Sequence, residues 1–368
     1  MSIDFKTRPV HGGNLAWAAS LAGCSPDQLL DFSASINPWG PPQSAIAAIM
    51  AHLADLRHYP DPNYLALRSR LAQLHAISAD QVLPGNGAAE LLTWAIRDCS
   101  SLEAVYLPTP AFSDYQRSLQ AASVPCIECP LALDQPPAIA LETALSTALQ
   151  LGPPPERCAL LLNNPHNPTG WLFPRTALRP YLNRFGLVIV DEAFMDFLPP
   201  LQQQSLIALV ADSANLVILR SLTKFYSLPG LRIGYAIAQP ERLQRWQQWR
   251  DPWPVNVLAA AATLAVLDDT PFQNQTWQWL APARSQLQHS LAQHSQLSPL
   301  AGQANFLLVA CDRSVTELQL QLLQQAHILI RDCLSFKELG DRYFRIAVRT
   351  DDDNQRLLTA IAACLAQA

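Results

Sequence analysis

The stretch RFGLVIVDEAF, residues 184–194, decides the fold. Residues 187–190 are apolar without interruption and Asp191 follows them. A short run that is apolar at every position is typical of a strand buried on both faces of a sheet. Between about residues 80 and 240 the runs EAVYLP, ERCALLLNNP, NLVILRSLTK and LRIGYAIAQP repeat this pattern, and helical patterns separate them. The alternation predicts an α/β fold with a mostly parallel central sheet.

The pattern changes in the last third of the chain. After RDPWPVNV, long helical segments lead to three short apolar runs and a final amphipathic helix, which predicts a smaller α+β domain. We therefore expect an N-terminal arm, residues 1–40, that contributes to the small domain. A large domain over 41–250 and a small C-terminal domain over 251–368 complete the predicted organisation.

Composition and charge exclude several classes of function. The net charge of −5 comes from 25 basic and 30 acidic residues without long runs, so neither nucleic acid nor an anionic membrane is an expected partner. No apolar run approaches the ~20 residues that span a bilayer, and the start lacks the order of a signal peptide, so we expect a cytoplasmic protein with a small-molecule partner. The eight cysteines are spread along the chain, and Cys126 and Cys129 have no second pair, which predicts core residues and no metal site.

Lys224, one of only three lysines, has unusual surroundings. It follows a predicted strand, lies close to the hydroxyls of Ser221 and Thr223, and precedes LPGLRIG, whose glycine and arginine suit an anion-binding turn. A lysine in that setting can form a Schiff base with a carbonyl cofactor while its neighbours hold a phosphate. The alternative is a solvated loop lysine.

Three further elements share this character. Asp191 ends a buried strand, where desolvation destabilises a carboxylate unless a cation such as a pyridinium pairs with it; a helix cap or a metal ligand is an open alternative. The loop NNPHNPTG, residues 163–170, can present the amide of Asn167 to a phenolate oxygen. The stretch LPGNGAAELL, residues 83–92, joins a strand, a glycine turn and a helix start whose amides could bind phosphate.

In this order, the four elements resemble the fold type I pyridoxal-phosphate enzymes of the aminotransferase class, which includes histidinol-phosphate aminotransferase. The resemblance covers nearly the whole chain. It implies that Lys224 bonds to the cofactor's aldehyde, that Asp191 pairs with the pyridine nitrogen and that Asn167 contacts the ring's 3-oxygen. The groups that it assigns to the cofactor phosphate are Ser221, Thr223, Arg232 and the amides of Asn86, Gly87 and Ala88.

The same resemblance predicts two aromatic contacts and an assembly. Tyr115, in LPTPAFSDYQR, falls where a ring stacks on the cofactor, with a core or surface tyrosine as the alternative. Tyr59, in RHYPDPNYLALR, falls where relatives reach the phosphate of the other subunit. A homodimer with shared active sites is therefore expected.

The N-terminal part narrows the reaction. HGGN, residues 11–14, and DFSASINP, residues 31–38, look like the threonine-phosphate decarboxylases of cobalamin biosynthesis more than like histidinol-phosphate aminotransferases. Phe194 also stands where many aminotransferases of this class have a tyrosine that binds the 3-oxygen. The implied reaction is decarboxylation of L-threonine O-3-phosphate to (R)-1-amino-2-propanol O-2-phosphate. A histidinol-phosphate-type aminotransferase is the alternative.

An amino-acid phosphate substrate needs cations. Arg345 matches the family position that grips a carboxylate, and Arg349, four residues on in a predicted strand, should leave the same face. Arg331 lies near another strand end, and surface salt bridges are the alternative for these arginines. His11 and Asn37 complete the predicted substrate-binding set.

Two other classes fit less well. Non-catalytic regulators that share this fold usually carry a DNA-binding domain, and the sequence has no basic patch to support one. A Rossmann nucleotide-binding protein would need a third glycine after the turn at residues 85–87.

Overall fold

A computed structural model describes residues 8–367. Its α-helices are α1 Leu15–Ala22, α2 Gln43–Ala51, α3 Leu65–His75, α4 Gly87–Asp98, α5 Ser113–Ala121, α6 Pro137–Leu151, α7 Arg175–Leu182, α8 Pro240–Trp249, α9 Val257–Leu267, α10 Thr270–Ala292, α11 Val315–Ala326 and α12 Asp351–Ala366. Its strands are β1 Leu30–Asp31, β2 Val82–Asn86, β3 Val105–Thr109, β4 Cys126–Pro130, β5 Ala159–Asn163, β6 Leu187–Asp191, β7 Leu216–Ser221, β8 Ile233–Ile237, β9 Leu297–Pro299, β10 Phe306–Cys311, β11 Ile328–Leu329, β12 Arg331–Asp332 and β13 Tyr343–Ala347. These elements divide into two compact units.

The larger unit, Trp39–Asn167 with Trp171–Trp277, is built on a seven-stranded sheet. The strand order is β2-β8-β7-β6-β5-β3-β4. All neighbouring pairs from β7 to β4 are parallel, whereas β8 runs antiparallel to both β2 and β7. The mostly parallel sheet predicted from the sequence is confirmed.

The central strands of this sheet are buried along their length because the unit's core packs against them. The four apolar residues 187–190 of β6 are at most 2% exposed, as expected for a strand covered on both faces. Residues of α4, α5 and α8, among them Leu91, Leu119 and Trp246, pack with the strands in one apolar cluster. This core fixes the carboxyl ends of β6 and β7, where the polar side chains of interest begin.

The smaller unit comprises the described residues up to Pro38, Pro168–Gly170 and those from Gln278 onward. Its main sheet has the order β12-β13-β10-β9 and is antiparallel throughout. The N-terminal segment joins this unit through its backbone, since Phe32 N donates to Leu329 O at 2.8 Å and Ala347 N donates to Phe32 O at 2.9 Å. The predicted smaller α+β domain is confirmed.

The boundary between the units differs from the one expected at residue 250. The larger unit continues to Trp277 because α9 packs against α2 and α3. The first turns of α10 are also tied to it, since Trp277 Nε1 donates to Asp196 O at 2.8 Å. The change of composition near residue 250 marks the end of the strand-rich segment, which is not the end of the compact unit.

Within residues 8–367, no helix combines the length and apolar character needed to cross a membrane. The same part of the chain contains no group of three or more His, Cys, Asp or Glu residues that could hold a metal ion.

Candidate cofactor and anion sites

Asp191 ends β6 with both carboxylate oxygens engaged. Tyr115 Oη donates to Oδ2 at 2.8 Å, and Ala193 N donates to Oδ1 at 3.0 Å. Burial raises the pKa of this carboxyl, whereas the Tyr115 hydroxyl, the Ala193 amide and the positive charge of Lys224 lower it. Lys224 therefore lies close enough to Asp191 for their charges to interact.

Lys224 itself lies in the turn that follows β7. Ser221 and Thr223 are each 5% exposed, and Thr223 N donates to Ser221 Oγ at 3.3 Å. The turn closes on itself, since Leu228 N donates to Thr223 O at 3.0 Å. The lysine is thus carried by a short, internally bonded turn at the end of a buried strand, with two hydroxyls beside it.

The start of α4 forms an anion-binding surface. Gly87 has a φ of +76°, and a Cβ there would lie 2.6 Å from Arg232 Nη2, so the guanidinium rests directly over the first turn of the helix. A Cβ at Gly234 would lie 2.6 Å from Ala88 N, so β8 also approaches this turn closely. Helix-terminal amides below a guanidinium are well suited to bind a phosphate.

Asn86 departs from its predicted role. Its backbone amide donates to Glu90 Oε2 at 2.5 Å, and the other oxygen of Glu90 accepts from Trp94 Nε1 at 2.9 Å. An N–H has one hydrogen, so the Asn86 amide is not available to a phosphate, and Gly87 and Ala88 remain the candidates. The signal for this is an acidic residue in the first turn of the helix, which commonly caps the preceding backbone amides.

The loop that carries Asn167 begins beside Asp191. Asn163, the last residue of β5, is paired in register with Asp191 on β6. Sequence reasoning missed Asn164, whose side chain clamps the loop by donating to Phe173 O at 3.0 Å and accepting from Phe173 N at 2.9 Å. Asn167 is 7% exposed in this braced loop.

Tyr115 does not offer the stacking surface that the sequence predicted. Its ring is 1% exposed and its hydroxyl is bound to Asp191, so a cofactor ring has no face of Tyr115 to contact. Phe112 meets the Tyr115 ring edge-on, with centroids 5.7 Å apart and planes at 88°, and is only partly buried. Phe112 is therefore the better candidate for stacking, and the core reading of Tyr115 is the one that the structure favours.

Two other aromatic residues named from the sequence differ in exposure. Phe194 is 7% exposed and lies beside Phe197, with ring centroids 6.5 Å apart. Tyr59 is 77% exposed and stacks on Trp253 with ring centroids 4.3 Å apart. The contact of Tyr59 with a second subunit stays a prediction.

In the smaller unit, Arg331 and Arg345 stand directly opposite each other on the antiparallel strands β12 and β13. Both are buried, and burial together with the charge of Arg331 lowers the pKa of Arg345 to about 10. Arg345 also lies over the ring of Phe306, 4.9 Å from its centroid. Two guanidinium groups forced together in this way favour a bound anion, which would offset their mutual repulsion.

Arg349 is placed differently from its prediction. Strand β13 ends at Ala347, so Arg349 is not on the strand and the same-face argument fails. Its Nε pairs with Asp353 Oδ2 at 3.0 Å and its Nη1 donates to Asp31 O at 3.2 Å. The salt bridge left open as an alternative is therefore present, and it opposes a role in substrate binding.

The remaining substrate candidates also belong to the smaller unit. His11 is exposed and lines a small recess together with Ser33 and Arg331. Arg331 Nη2 donates to Ser335 Oγ at 2.6 Å and also bonds the carbonyl of Val10. The structure thus groups His11 with Arg331, while Asn37 is 2% exposed within the same unit.

Comparison with known proteins identifies the family of this chain. The model of "Aminotransferase class I and II" matches residues 27–361. The chain belongs to this family. A threonine-phosphate decarboxylase of Salmonella typhimurium is 38% identical over 95% of both chains, and a histidinol-phosphate aminotransferase of Symbiobacterium thermophilum is 33% identical over 92% of this chain and 91% of its own. Among solved structures, histidinol-phosphate aminotransferase from Sinorhizobium meliloti in complex with pyridoxal-5'-phosphate has a TM-score of 0.82 at 22% identity, covering 99% of this chain and 98% of that one.

This class I and II aminotransferase-family member is an enzyme with the family's cofactor, pyridoxal 5'-phosphate. The residues of the larger unit fit that cofactor. The helix start under Arg232, which a Cβ at Gly87 would obstruct, suits its phosphate, and a buried carboxylate within electrostatic range of a lysine suits its ring nitrogen and aldehyde.

Proposed function

We propose that the enzyme decarboxylates L-threonine O-3-phosphate to (R)-1-amino-2-propanol O-2-phosphate in cobalamin biosynthesis. Support comes from the threonine-phosphate decarboxylase that is 38% identical over 95% of both chains. The HGGN and DFSASINP segments, which the sequence links to the same reaction, lie in the unit that carries the paired arginines.

The observation that carries the proposal is the opposition of Arg331 and Arg345 across β12 and β13. Arg331 pairs with Asp332 at 3.7 Å, and Arg8 shares that carboxylate at 3.0 Å, so the cluster keeps an excess of positive charge that favours an anionic ligand. L-threonine O-3-phosphate has a carboxylate and a phosphate on one small molecule. Histidinol phosphate has only the phosphate, but the 2-oxoglutarate that an aminotransferase also uses is a dianion, so product analysis has to separate the two candidates.

Residues of the larger unit would hold the cofactor and place protons on its ring nitrogen and on the substrate. Bound pyridoxal phosphate supplies an electron sink for the pair left on the substrate's α carbon when a bond to that carbon breaks. Lys224 Nζ would hold the cofactor's aldehyde and, once released by the substrate's amine, carry a proton to the α carbon. Asp191 would keep a proton on the ring nitrogen, and Ser221, Thr223, Arg232 and the amides of Gly87 and Ala88 would hold the phosphate.

Orientation of the substrate would decide which bond to its α carbon breaks. The bond to be cleaved must stand perpendicular to the cofactor ring so that its electrons overlap the π system. Two fixed guanidiniums that grip carboxylate and phosphate restrict rotation of the substrate about its α carbon.

Product analysis tests the proposal. The holoenzyme is incubated with L-threonine O-3-phosphate as sole substrate, and carbon dioxide and amino-propanol phosphate are quantified. We expect the two products in equal amounts without any keto acid. Turnover of histidinol phosphate with 2-oxoglutarate, without carbon dioxide from threonine phosphate, would favour the aminotransferase, which is the second candidate because a relative of that name is 33% identical.

Attachment of the cofactor at Lys224 is tested separately. Borohydride treatment of the yellow holoenzyme followed by peptide mass spectrometry should find the reduced cofactor on Lys224. The Lys224→Ala protein should bind no borohydride-fixable cofactor. A label on another residue would remove the basis for the roles given to the larger unit.

We also infer a cytoplasmic homodimer. An exposed apolar strip that includes Met50, Leu53, Leu56 and Tyr59 supports it, because each of these side chains is at least half exposed. Equilibrium sedimentation should give twice the monomer mass of 40.5 kDa. A monomer at micromolar concentration would exclude the shared site predicted for Tyr59.

A further inference from the structure

The carboxylate of Asp191 makes one contact, with Tyr115, that the sequence analysis did not predict. The hydroxyl of Tyr115, a residue that sequence analysis assigned to stacking, donates to Asp191 Oδ2 at 2.8 Å. We propose that Tyr115 is a positioning residue, whose hydroxyl fixes the orientation and the charge that Asp191 presents to the cofactor. The inference rests on the proposed role of Asp191.

The geometry leaves the carboxylate little freedom. Tyr115, on α5, holds Oδ2, and the backbone amide of Ala193, which follows β6, holds Oδ1 at 3.0 Å. Two donors from different elements fix both the position and the rotation of the group. A carboxylate has about four acceptor sites, so two engaged sites still leave capacity for a further donor such as a ring N–H.

The hydroxyl of Tyr115 stays protonated and therefore donates its hydrogen bond to Asp191. Burial, followed by the negative charge of Asp191, raises the pKa of Tyr115 well above its ordinary value, so the hydroxyl keeps its proton throughout the working range of the enzyme. Among the partners that oppose the effect of burial on Asp191, the Tyr115 hydrogen bond is the largest. Loss of that hydroxyl would make the ionised carboxylate less favourable.

Other charges face the pair and define what a pH measurement must separate. Glu192, the next residue along the chain, raises the pKa of Asp191, and Lys224 lowers it. Asp114, beside Tyr115, raises the pKa of the phenol. None of these groups is altered when a phenol is replaced by a phenyl ring.

The ring of Tyr115 would pack as well without its oxygen. It is 1% exposed in the apolar cluster of the larger unit, with Phe112 edge-on and Leu119 among its neighbours. A phenylalanine fills the same space, so the hydroxyl is the only group that the substitution removes. Tyr115→Phe therefore isolates the hydrogen bond from the packing.

Tyr106 provides a matched control. It is 0% exposed in the same cluster's sheet, and its hydroxyl donates to the backbone carbonyl of Pro153 at 2.8 Å. Tyr106→Phe removes a partly buried hydrogen bond of the same length that does not involve Asp191. A purely structural role for Tyr115 predicts that the two variants behave alike.

The experiment measures the dissociation constant of pyridoxal phosphate and the pH midpoint of the bound cofactor's absorbance for wild type and both variants. We expect Tyr115→Phe to weaken cofactor binding about tenfold and to shift the midpoint, since a hydrogen bond to a charged group is lost. Tyr106→Phe should change neither by more than about twofold. Equal effects of both variants, or no effect of Tyr115→Phe, would overturn the inference.

A double-mutant cycle separates this inference from the function on which it rests. In the Asp191→Asn background, adding Tyr115→Phe should have little further effect on cofactor binding, because the interaction is already changed. If Asp191→Asn alone leaves affinity and spectrum unchanged, the proposed role of Asp191 fails instead. Should Tyr115→Phe not fold, ¹³C NMR of the cofactor-free wild type decides the matter: a carboxyl signal of Asp191 that is protonated at neutral pH contradicts the proposal.

Discussion

Two buried arginines in this protein have opposite surroundings. Arg220, on β7 of the larger unit, is 1% exposed and pairs with Glu192 at 3.0 Å and Asp196 at 2.5 Å. Burial lowers its pKa, but the two carboxylates more than compensate and the pKa rises. Arg345, on β13 of the smaller unit, is also buried, and the residue opposite it on β12 is another arginine.

The difference separates an arginine that stabilises the fold from one that binds a ligand. At Arg220 the protein supplies the counter-charges; Ser205 Oγ also donates to Glu192 Oε2, the oxygen that pairs with Arg220, and Leu206 N donates to Oε1. At Arg345, burial and then Arg331 lower the pKa to about 10. Asp332 pairs with Arg331 at 3.7 Å and with Arg8 at 3.0 Å, so one carboxylate serves several guanidiniums and the excess positive charge suits an anion from outside.

The largest effect is expected at Arg220, which pairs with two carboxylates. Arg220→Met leaves Glu192 and Asp196 buried beside an apolar side chain, and loss of one partner of a buried ion pair costs about 3–5 kcal/mol. Urea unfolding of the variant measures the loss of free energy of unfolding. Adding Glu192→Gln should recover part of it, and an unchanged unfolding midpoint for Arg220→Met would contradict the structural role.

A smaller effect is expected at Arg345, which lies opposite Arg331. Its substitution should lower activity more than stability. Arg345→Gln removes charge-assisted hydrogen bonds to the substrate, and kcat/KM for L-threonine O-3-phosphate should fall about 100-fold, or about 2.7 kcal/mol. The variant should lose less stability than Arg220→Met, because relief of the repulsion by Arg331 offsets loss of the contacts with Phe306 and Ser33. Arg349→Gln is the control, and an equal loss of activity there would break the distinction between the two arginines.

Binding of inorganic phosphate is a further test of whether Arg345 belongs to an anion site. In the holoenzyme, phosphate should raise the melting temperature, with a gain of about 2.7 kcal/mol when its concentration is 100 times its Kd. The holoenzyme is used because its cofactor already fills the anion-binding start of α4. The same phosphate should not stabilise the Arg345→Gln holoenzyme, and equal stabilisation of both would place the anion elsewhere.

The smallest effect is expected where an exposed arginine has an acidic partner. Asp353→Asn breaks the pair with Arg349, which is partly exposed, so its contribution to stability should be under about 1 kcal/mol. Thermal unfolding at low and high salt measures it. A larger loss, or a change in KM for the substrate, would show that Arg349 acts in the site after all.

The sequence predicted the cofactor side of the site better than the substrate side. Asp191 and Lys224 follow buried strands, and a local apolar run is enough to locate the end of such a strand. The opposition of Arg331 and Arg345 depends on the register of two strands that are distant in sequence, which no local pattern contains. Arg349 was misplaced because the strand ends two residues earlier, and strand ends are weakly encoded.

Local hydrogen bonds account for the other differences. The amide of Asn86 was assigned to a phosphate, but Glu90 in the first turn of α4 accepts it. Tyr115 was assigned to stacking, but its position on α5 turns the hydroxyl to Asp191 and leaves Phe112 with the more exposed ring. Tyr115 was compatible with two roles that only tertiary packing separates, whereas Glu90 in the first turn of α4 is a local signal for the Asn86 contact.

Arg331 and Arg345 of the smaller unit are expected to bind a doubly anionic substrate. Calorimetric titration of borohydride-reduced holoenzyme, which cannot turn over, with L-threonine O-3-phosphate and with L-threonine tests this claim most directly. We predict that the phosphate ester binds about 100-fold more tightly, and that Arg331→Gln or Arg345→Gln removes most of this difference. Equal affinity for the two amino acids, or the same ratio in the variants, would contradict the claim.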